Sequence, residues 1–250
     1  MEPSVVAIRY VNERLMWIDL TLSSKKIRIV SVYLHCEGTD QDKMDSFYEA
    51  LSDIVVRVKD KCSVLLMGDF NARIGNRTEG YEKVMGKFGE DMEGNRNGKQ
   101  LLDFCASMGL VITNSFFKHK NIHRYTWEGR GTRSVIDYII TDQEFRKAVR
   151  DTRVFRGFID DSDHYLICSE IGIGDTIDRQ QLDLFSFWSV PPPPLLWRDC
   201  RGICPQMITK LVIRWQWLYP SDHIYIGVAD LHINQNHTQF RGIVRVVKGS

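Results

Sequence analysis

A chain of 250 residues with 43% hydrophobic and 26% charged residues has the composition of one large globular domain, or of one domain with an appendage, and disorder throughout is excluded. A formal net charge of +1 gives no whole-molecule attraction to a polyanion, so any nucleic-acid binding has to come from a local patch or a bound cation.

In chain order, residues 27–33 (IRIVSVY) are β-branched and aromatic, which predicts a buried strand, and the polar break Glu37-Gly38-Thr39-Asp40 follows. Met44, Phe47, Leu51, Ile54, Val55 and Val58 then recur at helical spacing, with Thr39 or Asp40 as N-cap. Residues 63–67 (SVLLM) read as a second strand, and strand–helix–strand predicts a parallel or mixed sheet covered by helices. A Gly- and Asn-rich loop over residues 75–98 leads into a helix with Leu101, Leu102, Cys105 and Met108 on one face, closed by Gly109. Strands are expected at residues 110–114, 125–127, 135–140 and 165–170, with a short helix over 143–149. The reading is therefore an α/β domain over residues 1–174.

After Gly174 the character changes. Pro191 to Pro194 form an extended tetraproline, and Trp188, Trp197, Trp215 and Trp217 crowd the last third, so residues 175–250 are read as a Pro/Trp-rich extension of unknown fold. Cys36, Cys62, Cys105 and Cys168 lie in apolar or strand-like runs and read as reduced; Cys200 and Cys204 have no second pair at zinc-finger distance, and His232 and His237 read as ordinary residues. No signal peptide and no run of about 20 apolar residues stands in the sequence, which predicts a soluble intracellular protein, nuclear or cytoplasmic.

Three short blocks carry chemistry. Gly68-Asp69-Phe70-Asn71-Ala72 follows the strand SVLLM, at the strand end where α/β folds gather ligands. Gly68 there permits a tight turn beside a substrate, Asp69 can accept a proton, and Asn71, two residues on and pointing the same way, can donate to a phosphate oxygen. Standing alone, the block is equally an Asp/Asn turn. Second, Asp137 stands inside the apolar run 135–140, and a buried carboxylate requires a partner. Third, Asp163-His164 just precedes an apolar run, and a carboxylate orienting a histidine is a recurrent catalytic arrangement. By itself that histidine is a loop-end side chain.

The GDFN, IDYI and SDH blocks, in this order, resemble the endonuclease/exonuclease/phosphatase superfamily. The stretch GNRNGKQLLDFCASMGLVITNSFF with Tyr125-Thr126-Trp127 is similar to the apurinic-type endonuclease domain of LINE-type, non-LTR retrotransposons, which accompanies a reverse transcriptase. The resemblance spans roughly residues 5–171 and implies a two-sheet, DNase I-like α/β sandwich with helices outside, lacking its first strands. It implies a metal-dependent phosphodiesterase, a DNA endonuclease using Mg2+ or Mn2+. Asp69 would activate water, Asn71 would hold it or a phosphate oxygen, and Asp137 would orient a phosphate-binding His164. Tyr33 would stand near the leaving group and Asp163 would contribute to the metal site. Thr126 and Trp127, flanked by Arg124 and Arg130, are the candidate nucleic-acid contact, although loop arginines are commonly a solvated face. The family's metal-ligand glutamate has no counterpart in residues 1–17, so weak metal binding and degenerate activity are expected. Two further classes stay open: a non-catalytic remnant that binds nucleic acid or a protein, and a phosphatase of the same superfamily.

Overall fold

The computed structural model describes residues 4–22, 25–58, 61–156 and 163–173, and, as backbone strands, residues 212–216, 223–229 and 241–248. Strands β1 (Ser4–Asn12), β2 (Leu15–Leu22) and β3 (Lys25–Tyr33) form an antiparallel meander. Helix α1 (Gln41–Val56) crosses over to β4 (Ser63–Asp69), which lies parallel to β3. The Asp40 carboxylate caps α1 by accepting from the Asp42 N–H at 3.0 Å. After the loop, α2 (Arg96–Met108) starts on the Asn95 cap and leads into β5 (Leu110–Ile112); Gly109 between them is left-handed at φ 70°. A hairpin of β6 (Trp127–Gly129) and β7 (Thr132–Ser134) precedes β8 (Asp137–Asp142), α3 (Gln143–Arg146), β9 (Val149–Phe155) and β10 (Leu166–Ile173). The last strands are β11 (Val212–Gln216), β12 (His223–Ala229) and β13 (Arg241–Lys248).

The first sheet runs β1-β2-β3-β4-β8-β5 and the second β11-β12-β13-β10-β9, which makes the fold a mixed α/β sandwich with helices on the outside. Strand alternation sorts the apolar residues onto two faces. Val30, Val32, Leu66, Tyr138 and Ile140 face the helices and pack with Phe47, Leu51, Leu101 and Cys105. The alternate positions Ile18, Leu20, Ile27, Ile29, Leu65, Met67 and Ile139 face the second sheet and pack with Val149, Ile167 and Ile171. The second core is the floor on which the site is built.

Several predicted elements differ in extent. The strand expected over residues 110–114 stops at Ile112, because Thr113–Phe116 turn into a 3-10 helix whose Thr113 and Ser115 hydroxyls cap backbone carbonyls. The helix expected over 143–149 ends at Arg146, and the alternating run VRDTRVF forms β9 instead. Of the segment expected over 125–127 only Trp127 becomes strand, at the start of the hairpin arm β6, with Arg130 and Gly131 at the hairpin tip in left-handed backbone. Strand β10 is not an edge: β9 pairs on one side, antiparallel, and β13 on the other, parallel. The tetraproline, Trp188, Trp197, Trp217, Cys200, Cys204, His232 and His237 lie outside the described residues. Among the described residues no helix is long and apolar enough to cross a membrane.

Candidate active site

Tyr33 ends β3, Asp69 ends β4 and Asp137 opens β8, and the register pairs Tyr33 with Asp69 and Asp69 with Asp137. Direct register partners project to one face, so the three side chains form a row on the face that looks toward the second sheet. Three hydrogen bonds lock the strand ends together. The Leu34 N–H donates to the Asp69 carbonyl at 2.8 Å, the Phe70 N–H to the Ile136 carbonyl at 2.9 Å, and the Tyr138 hydroxyl to the Ala72 carbonyl at 2.9 Å.

Gly68 is required for a different reason from the one its position in the block suggests. It is an interior residue of β4, and a Cβ there would stand 1.8 Å from the Val32 carbonyl oxygen of β3. The neighbouring strand, not a turn beside a substrate, demands glycine. Asn71 also departs from expectation. Its backbone is left-handed, φ 44°, so strand alternation does not set its direction. The Asn71 N–H donates to Asp69 Oδ1 at 2.8 Å, an Asx turn, and its Nδ2 donates to the Leu34 carbonyl at 2.8 Å. Part of its amide capacity is thus committed to holding the strand end, leaving less for a phosphate.

His164 reaches the row from the segment entering β10. Its Nδ1 lies 3.0 Å from Asp137 Oδ2 and 3.2 Å from Oδ1, and the two side chains are almost wholly buried. The partner that Asp137 requires is therefore His164. Burial by itself pulls the imidazole pKa down, but the Asp137 charge and hydrogen bond, with Asp69 and Asp163, carry it up to about 9. Asp69 is pushed up to about 7, first by burial and then by the Asp137 charge, against the opposing pull of His164 and the Asn71 N–H. At neutral pH the site thus holds an imidazolium beside a carboxyl group that titrates near 7.

The segment 126–128 frames this dyad. Thr126 is fully buried, and its Oγ1 accepts from the Ile136 N–H at 3.0 Å and the Asp137 N–H at 3.1 Å. Its carbonyl accepts from the Tyr165 N–H at 2.7 Å, and the Asp163 carbonyl accepts from the Glu128 N–H at 3.0 Å. Thr126 accordingly offers no surface to a nucleic acid; it fixes Asp137. The Trp127 indole donates to Asp163 Oδ2 at 2.8 Å, which sets that exposed carboxylate at the rim. Arg124 is partly buried, bonded to the Gly89 carbonyl and 3.5 Å from Asp91. Arg130 is exposed at the hairpin tip.

Sequence reading missed two members of the frame. Asn114 donates to the Asp137 carbonyl and accepts from the Ile139 N–H, both at 3.0 Å. Glu90 is a buried carboxylate accepting from the Val135 N–H at 3.1 Å and from the Ser134 hydroxyl, and burial raises its pKa. Glu90 sits in a polar run that reads as loop and Asn114 at the end of the strand expected over residues 110–114, and only the buried backbone each satisfies reveals its role.

Among the described residues no group of three or more His, Cys, Asp or Glu side chains is arranged to hold a metal. The donor set fits a divalent cation only in the manner of magnesium, held by one or two carboxylates and completed by water and phosphate oxygens. Asp69 is raised first by burial and then by repulsion from Asp137, and the second of these is a negative charge that a cation would offset.

Residues 27–168 match the sequence model of the family described as endonuclease-reverse transcriptase. The chain is 29% identical to craniofacial development protein 2 of Bos taurus over 171 residues, 67% of this chain and 28% of that protein. It is 28% identical to craniofacial development protein 2 of Tragulus javanicus over 68% of this chain and 29% of that one. The chain therefore spans less than a third of these relatives, 28% and 29% of their lengths. Among solved structures, the endonuclease domain of TRAS1, a telomere-specific non-LTR retrotransposon, aligns with TM-score 0.46 and 16% identity over 64% of each chain. The 3' phosphatase NExo from Neisseria, bound to a product DNA hairpin, aligns with TM-score 0.45 and 18% identity over 65% of this chain and 69% of that one.

Proposed function

Because the chain belongs to the endonuclease-reverse transcriptase family, we propose that it is a nucleic-acid phosphodiesterase of retroelement descent, a DNA endonuclease assisted by Mg2+ or Mn2+ and weakened by a sparse cation site. The observation that carries this reading is the strand-end row with its two tuned groups, Asp69 near 7 and His164 near 9.

The reaction asks for an oriented water, compensation of charge on the phosphorus, and help for the leaving oxygen. Asp69 accepts the proton of the attacking water, and a carboxylate titrating near the working pH is suited to that. His164, held by Asp137, places an imidazolium against the phosphate oxygens, where charge accumulates in the transition state. Asn71 steadies the water or a phosphate oxygen, and Tyr33 stands one strand from Asp69 near the leaving group. Asp163, with Asp69, would hold the cation, which when bound supplies positive charge to the phosphoryl oxygens. With few charged oxygen donors gathered among the described residues, we expect low affinity for the cation and a small rate.

The test is nicking of supercoiled plasmid by the purified chain, with and without millimolar magnesium or manganese, beside an Asp69→Ala, His164→Ala double variant. Slow, cation-dependent nicking that disappears in the double variant is expected. Fast nicking at micromolar magnesium would refute the weakened cation site. Equal background from both proteins, with the chain still binding DNA, would replace the hydrolase by a non-catalytic binding protein.

A further inference from the structure

The block Asn95-Arg96-Asn97-Gly98 opens α2 and is tied by hydrogen bonds to both strand-end loops of the site. Asn95 caps the helix, its Oδ1 accepting from the Gly98 N–H at 2.8 Å and from the Arg73 N–H at 2.9 Å. Its own N–H donates to the Arg73 carbonyl at 2.9 Å, and its Nδ2 donates to Glu37 Oε2 at 2.9 Å. Gly98 packs so closely that a Cβ there would stand 1.8 Å from the Arg73 carbonyl oxygen. The start of α2 is thereby fixed to the chain leaving β3 and to the chain leaving β4.

Asn97 reaches further in. It is 2% exposed, and its Nδ2 donates to the His35 carbonyl at 2.9 Å and to the Asn71 carbonyl at 3.0 Å. Both carbonyls lie just beyond Tyr33 and Asp69, the last register pair of β3 and β4, where the ladder has ended and a side chain has to supply the donor. One amide group therefore bridges the two loops, and Asn71 Nδ2, donating to the Leu34 carbonyl, closes the same junction from the other side. Asn71 is left-handed, φ 44°, and a non-glycine residue stays in that region when its surroundings over-determine it. Its N–H is committed to Asp69 Oδ1 and its carbonyl to Asn97. Asn97 thus grips one end of the residue whose other end holds the Asp69 carboxylate.

We infer that Asn97 is a positioning residue for the site: through Asn71 it holds the Asp69 carboxylate and the Asn71 amide where they act on water and phosphate. Its donated bonds go to main-chain oxygens that the reaction does not use, so its loss loosens the junction without removing a group from the cleft. The catalytic consequence rests on the hydrolase reading above, and the geometric one does not.

The experiment compares the full chain with Asn97→Ala, with Asn97→Ser, whose hydroxyl can still donate to one of the two carbonyls, and with Thr141→Val. Thr141 is the structural control, because its buried Oγ1 donates to the Val64 carbonyl at 2.7 Å toward the other end of β8. Urea unfolding, amide hydrogen exchange followed by NMR, and kcat and KM for plasmid nicking are measured on each. Asn97→Ala and Thr141→Val should both lower the urea midpoint. Only Asn97→Ala should speed exchange of the Asn71 and Leu34 amides relative to core amides, by about tenfold. Its kcat should fall by roughly 10- to 100-fold at unchanged KM, since small misplacements of reacting groups are costly. Asn97→Ser should lie between, and it decides the matter where Asn97→Ala is insoluble. Relative exchange of the Asn71 and Leu34 amides equal to that of the unaltered chain overturns the inference and leaves the hydrolase reading intact. A kcat lowered no further than in Thr141→Val overturns it as well. Selectively faster exchange in a chain that never nicks plasmid upholds the hold of Asn97 on the junction while the hydrolase reading falls.

Discussion

Replacing Asp137 with Asn removes the charge beside His164 while keeping the shape of the side chain. Moving the imidazole from its ordinary 6.5 up to about 9 corresponds, at about 1.4 kcal/mol per pH unit, to roughly 3 kcal/mol of folding stability at most. Because the folded value lies above the unfolded one, that contribution is fully present below about pH 6.5 and is lost as pH rises through about 9. In Asp137→Asn burial becomes the governing influence on His164, and its pKa falls below the ordinary value. Asp69 has the same sign with pH but responds to the substitution in the opposite sense. Its folded value of about 7 exceeds 3.8, so its contribution is present below 3.8 and lost as pH rises through 7; removing the Asp137 charge makes that loss smaller. The variant is therefore less stable than the parent by up to about 3 kcal/mol near pH 6, and the gap closes or reverses above pH 9. Urea unfolding of both proteins across this range, with an NMR titration of the His164 ring proton, measures both effects. A gap that stays constant with pH, or a variant His164 still titrating near 9, refutes the electrostatic account of the dyad.

Two further changes probe the frame. Gly68→Ala brings a Cβ to 1.8 Å from the Val32 oxygen, so β3 and β4 cannot keep their spacing, and a loss of about 3 kcal/mol or more, or insoluble protein, is expected; an unchanged urea midpoint would show that the strands yield. Thr126→Val keeps the volume but leaves the Ile136 and Asp137 N–H groups without their acceptor, so unfolding stability should drop by about 1–3 kcal/mol and nicking should fall. DNA affinity should stay the same, because Thr126 is buried; a selective loss of affinity with stability intact would return Thr126 to the binding surface.

Much of this was legible in the sequence where local pattern and tertiary role coincide. Asp40 at the start of α1, the stripe Met44, Phe47, Leu51, Ile54 and the left-handed Gly109 follow from rules acting over one or two helical turns. The requirement that Asp137 be partnered follows from the cost of burying a charge in an apolar strand, and the partner is the histidine of the only other block poised at a strand entrance. Gly68 and Asn71 were misread in purpose because their demands come from β3 across the sheet and from Leu34, 37 positions away, neither visible in a five-residue window. Thr126 misled in the opposite sense. A polar residue in a loop reads as surface, yet the buried amides of residues 136 and 137 take up its capacity.

The same accounting assigns the weakness proposed for the site to charge and not to shape. Asp69, Asp137 and His164 are held by backbone bonds from Leu34, Phe70, Thr126 and Asn114, so their mutual geometry does not depend on a bound ion. Three carboxylates, Asp69, Asp137 and Asp163, nevertheless act on one imidazolium, and this excess of negative charge adds to burial, the larger cause, in raising Asp69. At pH below about 7 a proton on Asp69 relieves that excess and removes the base; above it the charge is restored and a cation can take the proton's place. Proton and cation thus compete for the same relief. Hydrolysis by this chain should therefore rise with pH through about 7, and the rise should shift to lower pH as magnesium is increased, because the ion favours the charged carboxylate. A pH profile of plasmid nicking at two magnesium concentrations measures the shift. Superimposable profiles would mean that the ion does not act on Asp69, and the assignment of that carboxylate to the cation would have to be abandoned.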